Sequence, residues 1–219
     1  MGIVNKRLSH STKPLNIVTA TYKNSKISEE YRTVRTNFLS SINIQEHQAL
    51  IITSPNQGEG KSTTIANFAI SLAHSGKKVL LIDANLRRPT LHTTFNASNY
   101  VGLSSVLLGK TVLEDIVIET EISGLKLLPG GPVPYSPADL LELPTMKNLI
   151  NKVTGEYDVV LIDSPPALEF ADAKIIASNC DGLILVAQWG KTKNKEIVFA
   201  QRKLLNSIKI LGVIINEKK

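Results

Sequence analysis

The sequence of 219 residues contains a single cysteine, Cys180, which excludes a disulfide bond within one chain. Chains without disulfides are typical of the reducing cytoplasm. No apolar run approaches the roughly 18 residues that a membrane-spanning helix requires, and the N-terminus lacks the apolar stretch of a signal peptide. We therefore expect a cytoplasmic protein that reaches the inner face of a membrane only through a partner or through surface charge.

Acidic residues are scarce at the start of the chain, and the positive charge is concentrated there. The net charge is +6, and residues 1–37 hold seven basic residues against two acidic ones. We predict a basic, flexible N-terminal arm over residues 1–27. Such an arm is most often a solvated tail, but it also suits contact with acidic phospholipid head groups, an acidic partner or a neighbouring subunit. Few aromatic residues are interleaved with these charges, so no nucleic-acid partner is expected.

Apolar strands in the rest of the sequence run continuously instead of alternating with polar residues. Continuous strands are covered on both faces, as in a parallel sheet between two layers of helices. Strand and helix patterns alternate along residues 28–219, which we assign to one domain. The sequence therefore predicts an α/β fold with a mostly parallel, doubly wound sheet flanked by helices. We expect strands at 49–54, 78–83, 159–163 and 182–188, and within "LKLLPGG" and "KILGVIIN".

Cap residues and apolar periodicity predict the helices. Ser28 predicts the N-cap of a helix that extends to about Ile42, with Glu29 and Glu30 in its first turn. The segment "KSTTIANFAISLAHSG" keeps the spacing of a helix that ends at its glycine. The segment "PADLLELPTMKNLINKVTG" predicts one helix or two, with Pro144 starting the second.

A glycine-rich segment, "SPNQGEGKST" at 54–63, lies between the first of these strands and a helix. Glycines let the backbone curl so that several N–H groups point at one phosphate, and the helix N-terminus adds positive partial charge. Lys61 can reach the β- and γ-phosphates of a nucleotide, and Ser62 can ligate Mg²⁺. The full P-loop pattern has glycine where Pro55 stands, but its core is intact. The predicted nucleotide contacts are Gly58, Glu59, Gly60, Lys61, Ser62 and Thr63.

Two of the expected strands end in a carboxylate, at Asp83 and at Asp163. The carboxyl ends of parallel strands meet at one edge of the sheet, where ligands bind. Beside a P-loop, such an acid holds Mg²⁺ directly or through water, whereas a lone acid at a strand end can cap the next turn. We predict a site for ATP and Mg²⁺ in which the candidate metal ligands are Ser62, Asp83 and Asp163.

Three motifs, "GEGKST", "LLIDANLRRP" and "LIDSPP", resemble in this order the Walker A, Walker A′ and Walker B motifs of the bacterial tyrosine kinases. "SEEYRTVRTN" resembles the self-association helix of that family, and "LLPGGPVPYSPADLLELP" resembles a further loop. The likeness covers about residues 28–217. It is closest to the separate cytoplasmic kinase subunits of Gram-positive capsule and exopolysaccharide systems, and it implies a P-loop fold akin to the ParA/MinD ATPases.

The resemblance implies a protein-tyrosine kinase that uses ATP and Mg²⁺ and regulates polysaccharide synthesis. Lys61 would neutralise the transferring phosphoryl group, and Ser62 and Asp163 would hold Mg²⁺. Asp83 would orient or deprotonate the tyrosine hydroxyl of the protein substrate. Arg87, in the family's D-x-D-x-R pattern, would steady a phosphate or an acidic residue near the acceptor, or would form a surface salt bridge.

The resemblance also implies partners. The kinases resembled are activated by the cytoplasmic tail of a membrane polysaccharide co-polymerase. They alternate between a dispersed phosphorylated form and an unphosphorylated ring. The residues implied in ring contacts, at E-x₂-R-x₂-R spacing, are Glu29, Arg32 and Arg35.

Two other functions stay open. A ParA/MinD-type ATPase switch has a signature lysine four residues before the last P-loop glycine, but Asn56 stands at that position, which favours the kinase. A non-catalytic nucleotide-binding scaffold in the same polysaccharide machinery is the third hypothesis.

Two asparagines, Asn85 and Asn216, stand at positions that bear on the predicted site. Asn85 replaces the second acid of the D-x-D pattern, and an amide hydrogen-bonds but holds no charge. We expect Asp83 to act alone and Asn85 to position water near Mg²⁺. Asn216, at the end of the last strand, is a candidate adenine contact by position only.

The kinases resembled commonly end in a tyrosine cluster that is autophosphorylated, whereas this sequence ends in "GVIINEKK". Either such a tail was lost or removed, or the protein phosphorylates others without switching itself in that way. We expect Tyr157 in the core and Tyr31 at a subunit interface. Tyr135, in the Gly-Pro loop, is expected to be the most exposed, although loop aromatics more often pack than serve as substrates.

Overall fold

The computed structural model of the protein describes residues 17–22, 24–41, 48–204 and 206–217. Within these ranges the strands are β1 (Gln48–Thr53), β2 (Val79–Asp83), β3 (Ile118–Glu119), β4 (Leu125–Leu128), β5 (Val159–Asp163), β6 (Gly182–Gln188) and β7 (Ile210–Asn216). They form one sheet in the order β3-β4-β2-β5-β1-β6-β7. Neighbouring strands are parallel, except that β3 runs antiparallel to β4 at one edge.

The helices alternate with the strands along the chain. They are α1 (Val18–Thr21), α2 (Lys26–Ser41), α3 (Lys61–Ala73), α4 (Leu91–Thr94), α5 (Leu103–Leu107), α6 (Pro137–Glu142), α7 (Pro144–Thr154), α8 (Asp172–Ala177) and α9 (Asn194–Leu204), with a short 3₁₀ helix at Leu113–Asp115. Pro144 starts a second helix after α6, which is one of the two alternatives that the sequence left open. None of these helices, in the described ranges, combines the length and apolar content that crossing a bilayer requires.

Strand side chains alternate between two hydrophobic clusters, one on each face of the sheet. Leu50 of β1 and Leu161 of β5 pack in the same cluster as Phe68 of α3. Ile51 and Ile162, one position further along, belong to the opposite cluster together with residues of α5 to α9. The strands are apolar at successive positions because both of their faces are buried. The predicted doubly wound, mostly parallel fold is therefore confirmed.

The start of α2 differs from the prediction. The helix begins at Lys26, and the hydroxyl oxygen of Ser25 accepts a hydrogen bond from the Ser28 N–H at 3.1 Å. Ser25 therefore takes the capping role that the sequence assigned to Ser28, whose own hydroxyl donates to the Tyr22 carbonyl at 2.6 Å. The last described residue of the helix is Ser41, so the predicted end at Ile42 lies outside the described residues.

Part of the predicted N-terminal arm packs against the domain. Thr19 of α1 donates two hydrogen bonds to the Asn67 side-chain oxygen, from its N–H at 3.1 Å and its hydroxyl at 2.8 Å. Asn67 lies on α3, the helix that follows the glycine-rich loop. Residues 1–16 of the arm lie outside the described residues. The division into an arm over 1–27 and a domain over 28–219 stays a prediction.

The sheet order brings three functional segments to one edge. β5 lies between β1 and β2, and Asp163 is in register with Asp83 of β2 and with Ile52 of β1. The glycine-rich loop follows β1, while the two carboxylates end the other strands. The P-loop and the two carboxylates thus lie at the carboxyl edge of the sheet, which is where open α/β sheets bind their ligands.

Candidate active site

The loop between β1 and α3 depends on two glycines with left-handed backbone conformations. Gly58 has φ 80° and Gly60 has φ 87°, a region that other residues rarely adopt. A Cβ atom added at Gly60 would lie 2.1 Å from the Asn216 side-chain nitrogen. The loop therefore curls tightly and lies directly against the end of β7.

The Glu59 side chain stabilises this loop from inside. It is 1% exposed, and one of its oxygens accepts a hydrogen bond from the Asn56 N–H at 2.9 Å. The other oxygen accepts from the Asn56 amide at 3.2 Å and from the Thr192 hydroxyl at 2.6 Å. The Asn216 amide donates to the Glu59 carbonyl at 3.1 Å. Both side chains therefore hold the loop in shape, and the nucleotide contact predicted for the Glu59 backbone and the adenine contact predicted for Asn216 stay predictions.

Two charged residues from other loops hold the tip of the P-loop. The Gln57 N–H donates to the Glu169 carboxylate at 2.8 Å, and the Lys191 ammonium donates to the Gln57 carbonyl at 3.3 Å. Glu169 follows β5 and Lys191 follows β6. The sequence reasoning missed them, together with Thr192, because no local pattern connects them with the glycine-rich segment.

Lys61, Ser62 and Asp163 lie together at the start of α3. The Ser62 hydroxyl donates to Asp163 Oδ2 at 2.7 Å, and Lys61 Nζ lies 3.1 Å from Ser62 Oγ and 3.6 Å from Asp163 Oδ1. Thr63 follows in the first turn of α3, where its carbonyl accepts a hydrogen bond from Asn67. The three residues that the sequence predicted at the phosphates and the metal are thus adjacent.

Asp83 lies beside Asp163 and also caps the turn that leads into α4. Its Oδ2 accepts hydrogen bonds from the N–H groups of Thr90 at 2.8 Å and Leu91 at 2.9 Å, and its Oδ1 accepts from the Asn85 N–H at 3.3 Å. Burial and the neighbouring Asp163 charge raise the pKa of Asp83 to about 7. The hydrogen bonds from the Leu91 and Thr90 N–H groups and the positive charge of Lys61 act in the opposite direction and lower this pKa. The cap that a lone acid at a strand end can form is therefore present at Asp83.

Asn85 and Arg87 follow Asp83 but differ in what they contact. Asn85 is 8% exposed, and its carbonyl accepts a hydrogen bond from the Arg88 N–H at 3.0 Å. Arg87 forms a bidentate ion pair with the buried Asp172 of α8, at 2.9 Å from both Nε and Nη2. Its guanidinium also lies over the Phe170 ring, 4.1 Å from the centroid. In the described part of the chain, Arg87 thus pairs with Asp172 and makes no hydrogen bond with Asp83.

The donor set around Asp163 fits Mg²⁺. Asp163 Oδ1 is buried and has no hydrogen-bond partner among the described residues, a situation that a bound cation relieves. Mg²⁺ in nucleotide sites takes one or two carboxylates together with phosphate oxygens and waters. No described group of three or more His, Cys, Asp and Glu side chains could hold a metal alone. Asp83 fits less well as a ligand, because backbone N–H groups already occupy its Oδ2.

The predicted self-association residues lie on α2, and one of them contacts its own domain. Arg35 Nη1 donates to the Ser71 carbonyl of α3 at 2.7 Å. Arg32 forms an ion pair with Glu29 on the same helix. Tyr31 packs as a partly buried residue against the hydrophobic cluster beneath α2, and its place at a subunit interface stays a prediction.

Two further tyrosines can be compared with the sequence predictions. Tyr157 packs against the hydrophobic core as a partly buried residue. Tyr135 is fully exposed, so the packing that is more common for loop aromatics is not found among the described residues.

The fold and this site define a P-loop nucleotide-binding protein. The AAA domain family profile matches residues 48–216. The tyrosine-protein kinase YwqD of Bacillus subtilis is 44% identical over 205 residues, covering 93% of this chain and 86% of that protein. The tyrosine-protein kinase CpsD of Streptococcus agalactiae is 40% identical over 206 residues, covering 93% and 89%.

Solved structures that resemble this chain include a tyrosine kinase domain and a P-loop ATPase. The kinase domain of the Escherichia coli tyrosine kinase ETK matches with a TM-score of 0.89 and 31% identity, covering 98% of this chain and 86% of that one. The septum site-determining protein MinD of Pyrococcus horikoshii, complexed with Mg-ADP, matches with a TM-score of 0.66 and 27% identity, covering 77% and 70%. The chain belongs to the bacterial tyrosine kinases, which confirms the family and the enzyme class predicted from the sequence.

The first prediction concerns the contact between Thr192 and Glu59. The Thr192 hydroxyl also accepts a hydrogen bond from the Gln188 N–H at 2.8 Å, so it links the end of β6 to the P-loop. Thr192→Val removes both bonds and leaves a buried carboxylate short of a donor, a loss of about 1–3 kcal/mol. We expect nucleotide affinity to fall about tenfold, which corresponds to about 1.4 kcal/mol, in a fluorescence titration with an ATP analogue.

The matched control is Thr192→Ser, which keeps the hydroxyl and should bind nucleotide as the unmodified protein does. Equal affinity of the Val variant and the unmodified protein would show that this contact does not shape the phosphate loop.

Proposed function

We propose that the chain transfers the γ-phosphoryl group of ATP to tyrosine hydroxyls of proteins, with Mg²⁺, and that it regulates capsular or extracellular polysaccharide synthesis. The observation that carries the proposal is the cluster of Lys61, Ser62 and Asp163 at the P-loop, with Asp83 on the adjacent strand. A loose phosphoryl-transfer transition state needs positioning and charge stabilisation more than covalent help. Buried groups of fixed geometry supply both.

The roles of the phosphate-binding residues follow from their contacts. Backbone N–H groups of the loop and of the α3 N-terminus bind the phosphates, and Lys61 neutralises the charge on the transferring group. Ser62 and Asp163 would hold Mg²⁺, which would supply positive charge to offset the charge on the phosphates. The Mg-ADP complex of the similar MinD protein supports this nucleotide and metal assignment.

Asp83 is proposed to orient or deprotonate the acceptor hydroxyl. Its Oδ2 serves the turn before α4, while its Oδ1 accepts a single, long hydrogen bond of 3.3 Å, so Oδ1 has capacity for a further donor. Arg87 is proposed as a positioning residue, because its pairing with Asp172 holds the segment after β2 against α8. Asn216 supports the P-loop, and its contact with adenine remains a proposal that rests on its place at the end of β7.

We propose that the cytoplasmic tail of a membrane polysaccharide co-polymerase activates the kinase and holds it at the inner face of the membrane. This proposal rests on the resemblance to the kinase subunits of capsule systems. Addition of that tail as a synthetic peptide should raise phosphotyrosine formation. An unchanged rate with the peptide would remove the activator from the proposal.

The second prediction tests the kinase itself. We expect Lys61→Met to lower phosphotyrosine formation about a hundredfold or more, the scale for losing one group that stabilises transition-state charge. The measurement is an anti-phosphotyrosine assay with Mg-ATP and the co-polymerase tail. The matched control is Lys78→Met, because Lys78 is exposed and precedes β2 at the opposite edge of the sheet.

The same assay separates the competing functions. ATP hydrolysis without phosphotyrosine would favour the ATPase switch, and ATP binding without either product would favour the scaffold.

The third prediction separates the roles of Asp83 and Asn85. Asp83→Asn removes the acid and should lower the rate by about 10²- to 10⁴-fold, the range for general acid–base groups, while ATP still binds. Asn85→Asp should raise the rate only modestly. The reverse ranking in steady-state kinetics would move the acid function to position 85.

The fourth prediction concerns assembly. We propose ring-like self-association through Glu29, Arg32 and Arg35, and Arg35→Ala would also break its contact with Ser71 of the same chain. Glu29→Ala with Arg32→Ala leaves that contact intact and should lower the mass measured by light scattering. Thr36→Ala on the same helix is the control, and an unchanged mass of the double variant would remove this pair from the interface.

A further inference from the structure

Positive charge is concentrated a second time near the end of the sequence. Residues 189–209 hold six basic residues and one acidic residue, whereas residues 38–188 hold ten basic residues and fifteen acidic ones. The basic stretch therefore follows a middle part of the chain that is acidic. A run of like charge is most often a solvated face, so the side chains around it decide whether it has a partner.

Helix α9 (Asn194–Leu204) presents different side chains on its two sides. Ala200 and Leu204 are buried in the hydrophobic cluster on that face of the sheet, and Ile197 packs against the same cluster. The other side of the helix is exposed, and its residues follow the spacing i, i+3, i+4 and i+7 that brings side chains together on a helix surface. The outer face of α9 consists of Lys195, Val198, Phe199 and Arg202.

Two apolar side chains lie next to each other on this outer face. Phe199 is 54% exposed and Val198 is 41% exposed, and neither belongs to one of the two hydrophobic clusters. Trp189, which precedes the helix, is 71% exposed. Side chains alternate along β6, and Leu185 packs in the cluster beneath α9, so Trp189 falls on the α9 side of the sheet. A group of exposed apolar side chains on a folded domain commonly marks a contact surface.

The charges beside these apolar side chains are not neutralised within the described part of the chain. No hydrogen bond or ion pair joins the side chain of Lys193, Lys195 or Arg202 to another described residue. Glu196 is the single acid of this stretch, and its carboxylate accepts a hydrogen bond from the Lys193 N–H at 2.7 Å. That contact caps the start of the helix. The positive charge of the outer face is therefore available to a partner.

A membrane surface that contains anionic phospholipids fits this combination of side chains. Long basic side chains reach the head groups, while their own stems and the adjacent apolar side chains enter the boundary with the acyl chains. An acidic polypeptide would also satisfy the charges. The apolar side chains between Lys195 and Arg202 favour a partner that is apolar beneath a charged surface, which describes a bilayer.

We propose that the outer face of α9 docks on a membrane surface of anionic phospholipids. This contact goes beyond the proposed kinase function, and it uses residues of this chain without the co-polymerase. One shallow contact of this kind is weak and reversible, and a second signal makes membrane attachment stable. The α9 contact and the proposed co-polymerase tail would together hold the active site at the inner face of the membrane.

The experiment is sedimentation of the full chain with vesicles at low ionic strength. One set of vesicles contains phosphatidylcholine alone, and the other contains equal parts of phosphatidylcholine and phosphatidylglycerol. We expect the chain to bind the second set only, and added salt should release it because salt screens the charges. All variants keep the basic N-terminal segment, so its contribution is the same in every comparison.

The first pair of variants tests the charges. Lys195→Gln with Arg202→Gln should lower the affinity for the anionic vesicles about 25-fold, since each basic residue near such a surface contributes about fivefold. The matched control is Lys110→Gln with Lys147→Gln, which removes two exposed charges elsewhere and should leave the affinity nearly unchanged. Equal losses in the two double variants would refute the proposal, because net charge alone would then account for binding.

The second pair of variants tests the apolar contact. Phe199→Ser should lower the affinity about tenfold, because less apolar surface enters the bilayer boundary. Tyr100→Ser, at another exposed aromatic residue, is its control and should bind as the unmodified chain does. Thermal unfolding should be the same for all variants, because each substituted side chain is exposed. Unchanged vesicle binding by Phe199→Ser would rule out insertion of the outer face.

Two further outcomes would assign the outer face to another partner. Binding to polyglutamate without binding to either set of vesicles would overturn the proposal in favour of an acidic protein. A lower mass of Phe199→Ser in light scattering, with vesicle binding unchanged, would overturn it in favour of an interface between copies. Phosphotyrosine formation without vesicles is a separate readout, so failure of the membrane contact and failure of the kinase function can be told apart.

Discussion

Asp83 and Asp163 lie opposite each other at the carboxyl ends of β2 and β5, and neither side chain reaches solvent. Two carboxylates this close in a buried setting repel each other unless donors and positive charge offset the repulsion. The repulsion is offset by Lys61, the Ser62 hydroxyl and the N–H groups of residues 90 and 91. The P-loop, the start of α3 and the turn before α4 therefore all have to meet at this pair of strands.

The phosphate loop depends on residues that come much later in the chain. Thr192 and Asn216 lie 133 and 157 positions beyond Glu59, yet both hydrogen-bond to it. The segments after β6 and at the end of β7 thus determine the shape of a loop that begins after β1. A loop held in this way needs the ends of β6 and β7 in place, so we expect changes in the β6–α9 connection to alter its shape.

Short segments were enough to predict most elements of the fold. The P-loop, the helix after it and the strands ending in Asp83 and Asp163 were predicted because glycine conformation, helix periodicity and strand burial depend on near neighbours. The start of α2 was predicted wrongly, since Ser25 and Ser28 both suit an N-cap and the surrounding packing selects one of them. The pairing of Arg87 with Asp172 spans 85 positions and leaves no local pattern.

The sequence alone determined the fold class, the family and the residues that come together at the P-loop, because motif residues lie close together and their spacing carries the chemistry. Only the tertiary structure decided what else these side chains do. Asp83 caps the turn before α4, Glu59 holds the P-loop through Thr192, and no described residue covers Tyr135. Burial and long-range hydrogen bonds depend on which surfaces the packing of the sheet and helices brings together, and local spacing does not record that.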